Sequence, residues 1–183
     1  MLSFVLSLAL CLLTADFASG LFHWFEDTWL VPGKNAFFDK YIILCNIEHH
    51  RSPGKMKAND WWNNNYVTMA LVGLVAVVCL LFGVHAWQIY LTLAIASQSN
   101  QIHAWGHTRK VPYIIGFLQR YGILQSIEHH GLHHKRPYDA RYCTTTNFLN
   151  PVLDRIKFWR GLERIGVKLG GTVARGSQAR QNF

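Results

Sequence analysis

The sequence predicts an all-α fold: an integral membrane helical bundle with about three spans, further interfacial helices and histidines gathered on the cytoplasmic side. Three observations predict it. Half of the 183 residues are hydrophobic and only 15% are charged, a balance typical of membrane proteins. Two stretches are long and apolar enough to form membrane helices. Most of the ten histidines lie in short clusters.

The length allows one domain, which we expect to cover residues 1–170. Residues 171–183 are rich in Arg, Ser and Gln after two glycines, which predicts a disordered tail. The net charge of +8 comes from short basic stretches beside apolar runs and not from one basic stripe. This distribution argues against nucleic acid as a partner and favours an anionic membrane surface. The four cysteines have no CxxC spacing and predict no disulfide framework.

The first span begins at the N-terminus. Residues 1–13 are almost wholly apolar, and the apolar run continues with interruptions to Trp24, which is long enough for about one crossing. A secretory signal cleaved near Ala18-Ser19-Gly20 is the alternative. The positively charged segment with which such signals begin is missing, and a span is therefore the favoured interpretation.

The second apolar stretch, residues 66–98, has no formal charge and is too long for one span. It predicts a helical hairpin that turns near residues 82–85. Residues 114–127 are amphipathic and too short to cross, so we expect a helix in the membrane interface.

Basic residues predict the orientation of the spans, because they concentrate in cytoplasmic loops. Neither the N-terminus before the first span nor the hairpin turn contains Lys or Arg. The two segments that contain them follow the first span and the hairpin (Lys34, Lys40, Arg51, Lys55 and Lys57; Arg109, Lys110, Arg120, Lys135 and Arg136). Three crossings then leave every histidine except His85 on the cytoplasmic side, and we assign His85 no role in the site.

The histidine spacing predicts a metal site. His103 and His107 are four residues apart, which places both on one face of a helix. In the segment His129-His130-Gly-Leu-His133-His134, spacings of three and four residues let several imidazoles face one point. His129 and His130 cannot both face that point, and we expect His129 to support the site from outside.

Two further clusters come from other parts of the chain. His49-His50 is a pair, and His23 precedes Asp27 by four residues. Alone, the His49-His50 pair is typical of a solvated loop. Alone, His23 and Asp27 are typical of the end of a membrane span. Together the clusters offer more ligands than the three or four that one zinc takes, and this indicates two redox metals, for which we choose iron.

Other polar residues near these clusters are candidates for support. Asp16 lies inside the first span, where a charge is costly, and we expect it to orient a ligand. Glu48 and Glu128 each precede a histidine pair and either orient an imidazole or meet solvent. Residues 98–101 either hydrogen-bond the imidazoles or contact water. Residues 63–65, all Asn, predict a polar junction at the interface.

Several consecutive motifs together resemble the lipid desaturase family. That family includes plasmanylethanolamine desaturase, its bacterial counterpart in light-induced carotenoid signalling, and the plastid desaturase of phosphatidylglycerol palmitate. The resemblance runs from about Leu13 to Gly170. Compared with the animal enzyme, few residues precede the first span, so a shorter membrane domain is expected. The motifs are, in order, ADFASGLFHW (15–24), EHH (48–50), QIHAWGH (101–107), HHGLHH (129–134), YC (142–143) and NFLN (147–150).

The resemblance implies an iron-dependent oxidoreductase that uses O2 and electrons from cytochrome b5 or a ferredoxin to desaturate a membrane phospholipid. The expected membrane is the endoplasmic reticulum or a bacterial inner membrane. The leading substrate is the 1-O-alkyl chain of a plasmanyl ethanolamine phospholipid. An acyl chain attacked near its carboxyl, or hydroxylation, is the alternative, and a non-enzymatic metal-binding or regulatory membrane protein is the alternative of another class. The implied iron ligands or essential site residues are His23, Asp27, His49, His50, His103, His107, His130, His133 and His134.

Overall fold

The first helix, α1 (Leu2–Trp29), runs without a break through the site considered for signal cleavage. The computed structural model describes residues 1–174, and all regular elements in that range are helices, which confirms the all-α class. The N-terminal half of α1 exposes apolar side chains. Its C-terminal half buries one face on which Asp16, Gly20, His23 and Asp27 follow one another at helical spacing.

Short helices join α1 to the hairpin. They are α2 (Ala36–Phe38), a π-helical turn (Asp39–Ile43), α3 (Leu44–Arg51) and α4 (Gly54–Ala58). Asn35 caps α2 by accepting from the backbone N–H groups of Phe37 and Phe38. The π-helical turn continues directly into α3, which therefore begins one helical turn before the His49-His50 pair.

The predicted hairpin is present. It consists of α5 (Trp61–Leu81) and α6 (Trp87–Ala96), and its turn includes Gly83 at a φ of 69°. The third span, in contrast, is not confirmed as one long helix. The helix α6 has 10 residues, about 15 Å of length, and the chain turns at residues 97–98 before α7 (Ser99–Gly106) begins.

The helix expected over residues 114–127 is shorter in the structure. Here α8 (Tyr113–Arg120) ends early because Gly122 adopts a φ of 70° and the amides of residues 123 and 124 both turn back to the Leu118 carbonyl. Ser126 then caps α9 (Ile127–His133). The remaining helices are α10 (Leu149–Arg155) and α11 (Phe158–Lys168).

Packing places the histidine-bearing ends of the helices together. The helix α1 lies along α6, α5 contacts both α6 and α7, and α7 contacts α9. At the other end, Phe4 near the start of α1 contacts the Trp87 ring at a centroid distance of 5.6 Å. The hairpin turn with His85 therefore lies at the end of α6 opposite the other histidines.

Two helices, α1 and α5, are long and apolar enough to cross a membrane. Little of either apolar segment is buried within the protein, and α5 exposes Leu71, Leu74, Val75 and Val78. Such a surface needs an apolar solvent, and this indicates a membrane protein.

The C-terminal segment of the described chain folds back on α1. Of the tail expected to be disordered, residues 171–174 lie against the end of α1, where the Ala174 amide donates to the Thr28 carbonyl at 2.7 Å. The rest of the tail, residues 175–183, lies outside the described residues.

Candidate metal centre

Four helices supply the clustered side chains. In α1, His23 and Asp27 are one turn apart, and the last turn of α3 contains His49 and His50. His103 lies in α7 and His107 is its C-terminal cap. The helix α9 contains His130 and His133, and His134 is its C-terminal cap. These helices bring together all nine residues that the sequence singled out, in two groups.

The five-histidine group consists of His49, His103, His107, His130 and His134. Its Nε2 atoms converge: His103 to His130 is 2.8 Å, and His130 to His134 is 3.0 Å. The Nε2 atom of His49 lies 3.1 Å from that of His134 and 3.4 Å from that of His107. Two nitrogens bound to one metal at about 2.1 Å, at octahedral or tetrahedral angles, are about 3.0–3.4 Å apart. The group therefore has the spacing of ligands around one ion.

Hydrogen bonds alone cannot satisfy this group. A neutral imidazole has one donor nitrogen and one acceptor nitrogen. The Nε2 atoms of His49, His130 and His134 each approach two other Nε2 atoms. One nitrogen cannot accept from one neighbour and donate to the other, whereas a cation at their centre binds all the lone pairs at once. The donor set thus fits a metal ion.

The mixed group consists of His23, Asp27, His50 and His133. The Asp27 carboxylate is its centre: Oδ1 lies 2.9 Å from His50 Nε2, and Oδ2 lies 3.4 Å from His133 Nε2 and 3.8 Å from His23 Nε2. The Nε2 atoms of His23 and His133 and the Asp27 Oδ2 atom are buried without a hydrogen-bond partner within residues 1–174. Orphaned buried ligand atoms that face one another also fit a metal ion.

Backbone carbonyls fix two of these rings. His23 Nδ1 lies 3.2 Å from the Tyr142 carbonyl, and His133 Nδ1 lies 2.8 Å from the Ala140 carbonyl. A carbonyl only accepts, so each Nδ1 carries the proton and each Nε2 presents its lone pair to the group. This is the tautomer that a metal ligand needs.

The two groups are adjacent. The ring centroids of His50 and His134 are 5.1 Å apart, and those of His23 and His103 are 5.3 Å apart. Eight imidazoles and one carboxylate therefore form two neighbouring donor sets, which fits a nitrogen-rich pair of metal ions.

Burial favours the neutral form of the imidazoles in the five-histidine group. Desolvation, followed by the neighbouring imidazoles, holds the pKa of His49 and the pKa of His130 well below the usual histidine range. The same causes lower the pKa of His134 to about 2. Neutral imidazole is the form that binds metal, so the site is ready for cations at physiological pH.

His129 lies outside both groups. Its Nε2 atom is 3.3 Å from Asn150 Nδ2 and 3.5 Å from Arg141 Nη1. Burial, followed by the Arg141 charge, lowers the pKa of His129 to about 4. This side chain connects α9 to α10 and to the segment that precedes α10.

Asp16 supports a loop and not an imidazole. Its Oδ1 atom accepts from the backbone N–H groups of Thr145 (2.8 Å) and Thr146 (3.0 Å), and its Oδ2 atom accepts from the Thr146 hydroxyl (2.6 Å). Gln125 also binds this loop, because its side-chain amide nitrogen donates to the Cys143 carbonyl at 2.6 Å.

The other polar candidates also have roles away from the imidazoles. Glu48 forms an exposed ion pair with Lys55, and Glu128 is exposed. The polar residues of segments 63–65 and 98–101 join α5 to α7: Gln98 accepts from Trp61, and Asn100 donates to the Asn64 carbonyl.

Sequence reasoning missed Asn46 and Tyr138. Asn46 Nδ2 donates to Asp27 Oδ1 at 2.7 Å and so helps to orient the carboxylate. Its spacing of four residues from His50 on α3 is the signal that was available. The Tyr138 ring lies edge-on to His50 at 4.9 Å, and no sequence pattern indicated that contact.

A cavity of about 520 Å³ opens beside both groups. His23, His49 and His103 form part of its wall. From these histidines the cavity extends between α1 and α5 into an apolar region. The opposite end of the cavity is lined by polar residues. The apolar wall includes Phe22, Val67, Leu71, Val72 and Ala96, and the polar wall includes Glu26, Glu48, Lys55, Asn59 and Asn63.

Comparison with known proteins agrees with this arrangement. The model of the lipid desaturase domain matches residues 12–177, a range that contains all nine donors. The chain belongs to the lipid desaturase family. The three relatives described next are desaturases by name.

Three of these lipid desaturases show the extent of the similarity. The chain is 31% identical to a plasmanylethanolamine desaturase of Myxococcus xanthus over 164 residues, 84% of this chain and 57% of that protein. It is 31% identical to plasmanylethanolamine desaturase 1 of Mus musculus over 177 residues, 89% of this chain and 65% of that protein. It is 29% identical to the chloroplastic fatty acid desaturase 4 of Arabidopsis thaliana over 161 residues, 82% of this chain and 48% of that protein.

The chain thus spans about three-fifths of the length of the two plasmanylethanolamine desaturases. No solved structure matches this chain significantly.

Proposed function

We propose that the chain is an O2-dependent lipid desaturase with a di-iron centre. One observation carries the proposal: two adjacent donor groups meet at the wall of a cavity that continues into an apolar cleft between α1 and α5. A di-metal site supplies the oxidising power to remove hydrogen from an unactivated carbon chain, and the cleft supplies a place for that chain.

The five-histidine group would hold one iron and the mixed group the other. Iron bound there supplies O2 reduction and the oxidation of two adjacent C–H bonds, with water as the second product. The eight imidazoles favour redox metals, and the single carboxylate, Asp27, contributes the negative charge. Nδ1–H bonds from His23 and His133 to backbone carbonyls keep both rings aimed at the metal throughout turnover.

The cavity binds and orients the lipid in this proposal. Its lining follows α5 from Asn63 to Val72, about 14 Å along the helix axis. Polar residues at one end suit the headgroup, and apolar residues at the other end suit a hydrocarbon chain. The histidines lie beside the polar half, and so the reactive bond is close to the headgroup. The apolar wall also excludes water from the reacting carbons.

The substrate follows from this position. A bond next to glycerol is the vinyl-ether position of a plasmalogen, and two similar proteins are named for plasmanylethanolamine. We infer that the 1-O-alkyl chain of a plasmanyl ethanolamine phospholipid is the leading substrate. An acyl bond near its carboxyl is the alternative, supported by similarity to fatty acid desaturase 4.

We further propose three crossings, with α6, the turn at residues 97–98 and α7 together completing the third. This returns the chain to the side where His103 meets His23. The excess of Lys and Arg in the loops on that side supports a cytoplasmic site, at the endoplasmic reticulum or a bacterial inner membrane. An electron donor, cytochrome b5 or a ferredoxin, then reaches the centre from the cytoplasm. A tag at the N-terminus that is accessible from the cytoplasm would contradict this topology.

The proposal is tested by expressing the chain in cells that lack plasmalogens and measuring all lipid classes. New vinyl-ether lipid supports the leading substrate, and new unsaturation in acyl chains supports the alternative. No new unsaturated lipid, despite a folded and metal-loaded protein, favours a non-enzymatic metal-binding protein instead.

Metal analysis of the purified protein and three histidine variants extend this test. We expect about two irons in each purified chain, and one zinc per chain would contradict the di-iron centre. His107→Ala and His134→Ala should abolish the product. His129→Ala is the matched control, because His129 belongs to the same histidine-rich segment but lies outside both donor groups. An equal loss of iron in the His129 variant would contradict the assignment of the groups.

A further inference from the structure

A row of oxidisable aromatic side chains leads from the mixed group toward the protein surface. The Tyr142 ring lies 5.3 Å from that of His133 and 5.2 Å from that of Trp159, measured between centroids. Trp159 is 6.0 Å from Trp24, and Trp24 is 6.1 Å from Trp29. We call Tyr142, Trp159, Trp24 and Trp29 the aromatic row.

The row passes from the core to the surface and is held in place. Tyr142 and Trp159 are buried, whereas Trp24 and Trp29 are partly exposed. The Trp29 indole packs on two glycines, Gly166 and Gly171. A Cβ at either position would lie 2.5 Å or 2.7 Å from the indole, so only glycine allows this close approach.

The two inner tryptophans differ in the surroundings of their N–H groups. Trp24 Nε1 donates to Glu163 Oε1 at 3.3 Å, and Arg160 pairs with the same carboxylate oxygen at 2.7 Å. Trp159 Nε1 is buried and has no acceptor among residues 1–174. Trp24 can therefore pass its proton to a carboxylate when it is oxidised, and Trp159 cannot.

Packing alone does not require these residue types. Phe17 and Phe158 contact Trp159 in the same apolar core, and phenylalanine or leucine fills such a core without a polar N–H to satisfy. Burying the Trp159 N–H without an acceptor carries a free-energy cost that phenylalanine avoids. Tryptophan differs from phenylalanine in that its ring loses an electron far more easily.

We propose that the aromatic row carries single oxidising equivalents away from the metal centre when O2 is reduced without substrate, and so protects the histidine ligands from oxidation. The proposal rests on the di-iron function proposed above. Reduced tryptophan has no low-lying state that accepts an electron from an ordinary donor protein. The row therefore conducts only when the centre is strongly oxidising, and the normal electron supply reaches the metals by another route.

The electrons and protons balance as follows. Trp159 would give one electron to the metal centre across the Tyr142 ring, and Trp24 would then give one electron to Trp159. Trp24 has then lost one electron, and its indole proton moves to Glu163, which leaves a neutral tryptophan radical. A small thiol at the surface returns one hydrogen atom to Trp24 and becomes a thiyl radical, and Glu163 releases its proton to solvent.

The test uses the full chain in lipid nanodiscs, loaded with Fe(II) and freeze-quenched after exposure to O2 without substrate. The protein is produced with ring-deuterated tryptophan and, separately, with ordinary tryptophan. We expect an organic radical in the electron paramagnetic resonance spectrum whose hyperfine width narrows on deuteration. Trp24→Phe should abolish this neutral tryptophan signal, and Trp159→Phe should prevent its formation. Trp87→Phe, at the far end of the bundle, is the matched control and should leave the signal unchanged.

Mass spectrometry of the same samples gives a second readout. Oxidised histidines among the nine donors should increase in Trp24→Phe and Trp159→Phe relative to the wild type and Trp87→Phe. A wild-type chain that binds iron but forms no tryptophan radical overturns the aromatic row and leaves the proposed function standing. The same holds if the two variants match the control in both readouts. A wild-type chain that binds no iron overturns both proposals.

Discussion

Substitutions of Asp16 should lower the stability of the protein without changing its metal binding. Asp16→Ala removes the acceptor of two backbone N–H groups and one hydroxyl, in bonds of 2.6–3.0 Å. Each hydrogen bond to a charged group contributes about 1.5–3 kcal/mol. Part of that sum is offset because the variant no longer buries a carboxylate. We expect a net decrease of about 3 kcal/mol in the free energy of unfolding.

Asp16→Asn is compared with Asp16→Ala because it retains part of the hydrogen bonding. Its carbonyl oxygen keeps the acceptor for the Thr145 and Thr146 amides, and the Thr146 hydroxyl can rotate to accept from the new amide nitrogen, so we expect a loss of only about 1 kcal/mol. The assay is equilibrium unfolding in mixed micelles, with iron measured per folded chain. Iron content should stay the same in both variants, because Asp16 contacts the loop and not the donor groups. Equal destabilisation by Asn and Ala, or iron loss in either folded variant, would refute this reasoning.

Three further predictions concern packing, the cavity and ligand orientation. Gly20→Ala brings a methyl group to 2.5 Å from Cys143 Sγ and 3.1 Å from the Cys143 backbone, and it should lower the free energy of unfolding by about 1–3 kcal/mol. Gly73→Ala meets open space and should cause no loss of stability in the same unfolding assay. Val67→Trp fills the apolar cleft and should abolish lipid product at unchanged iron content; an equal loss in Leu74→Trp, whose side chain is exposed on α5 and does not line the cavity, would contradict the cleft. Asn46→Ala frees the carboxylate of the mixed group and should weaken iron binding by about tenfold or more in chelator competition, and unchanged affinity would count against its orienting role.

Local spacing on helices could be predicted from the sequence. His23 and Asp27, or His103 and His107, share a face because the helical repeat dictates it, and the structure confirms those helices. The hairpin turn was predictable for the same kind of reason, since an uncharged stretch too long for one span must reverse.

Helix ends were harder to predict. The turn at residues 97–98 divides the third span into two short helices, α6 and α7, and the turn at Gly122 ends α8 although apolar residues continue to Ile127. Such turns depend on which backbone groups find partners across the bundle, and a periodicity argument contains no information about them. Asp16 illustrates the same limit: its burial was predictable, but its partners lie about 130 residues away in sequence, at Thr145 and Thr146.

By itself the sequence determined the residue types, the helical faces that carry them and the membrane character of the chain, because composition and periodicity are local properties. Only the tertiary structure decided how nine donors divide into two groups, which ring nitrogens face inward, and where the cavity meets them. Those features arise from the packing of α1, α3, α7 and α9 against one another. Contacts between distant segments depend on the shape of every intervening element, and no local pattern encodes them.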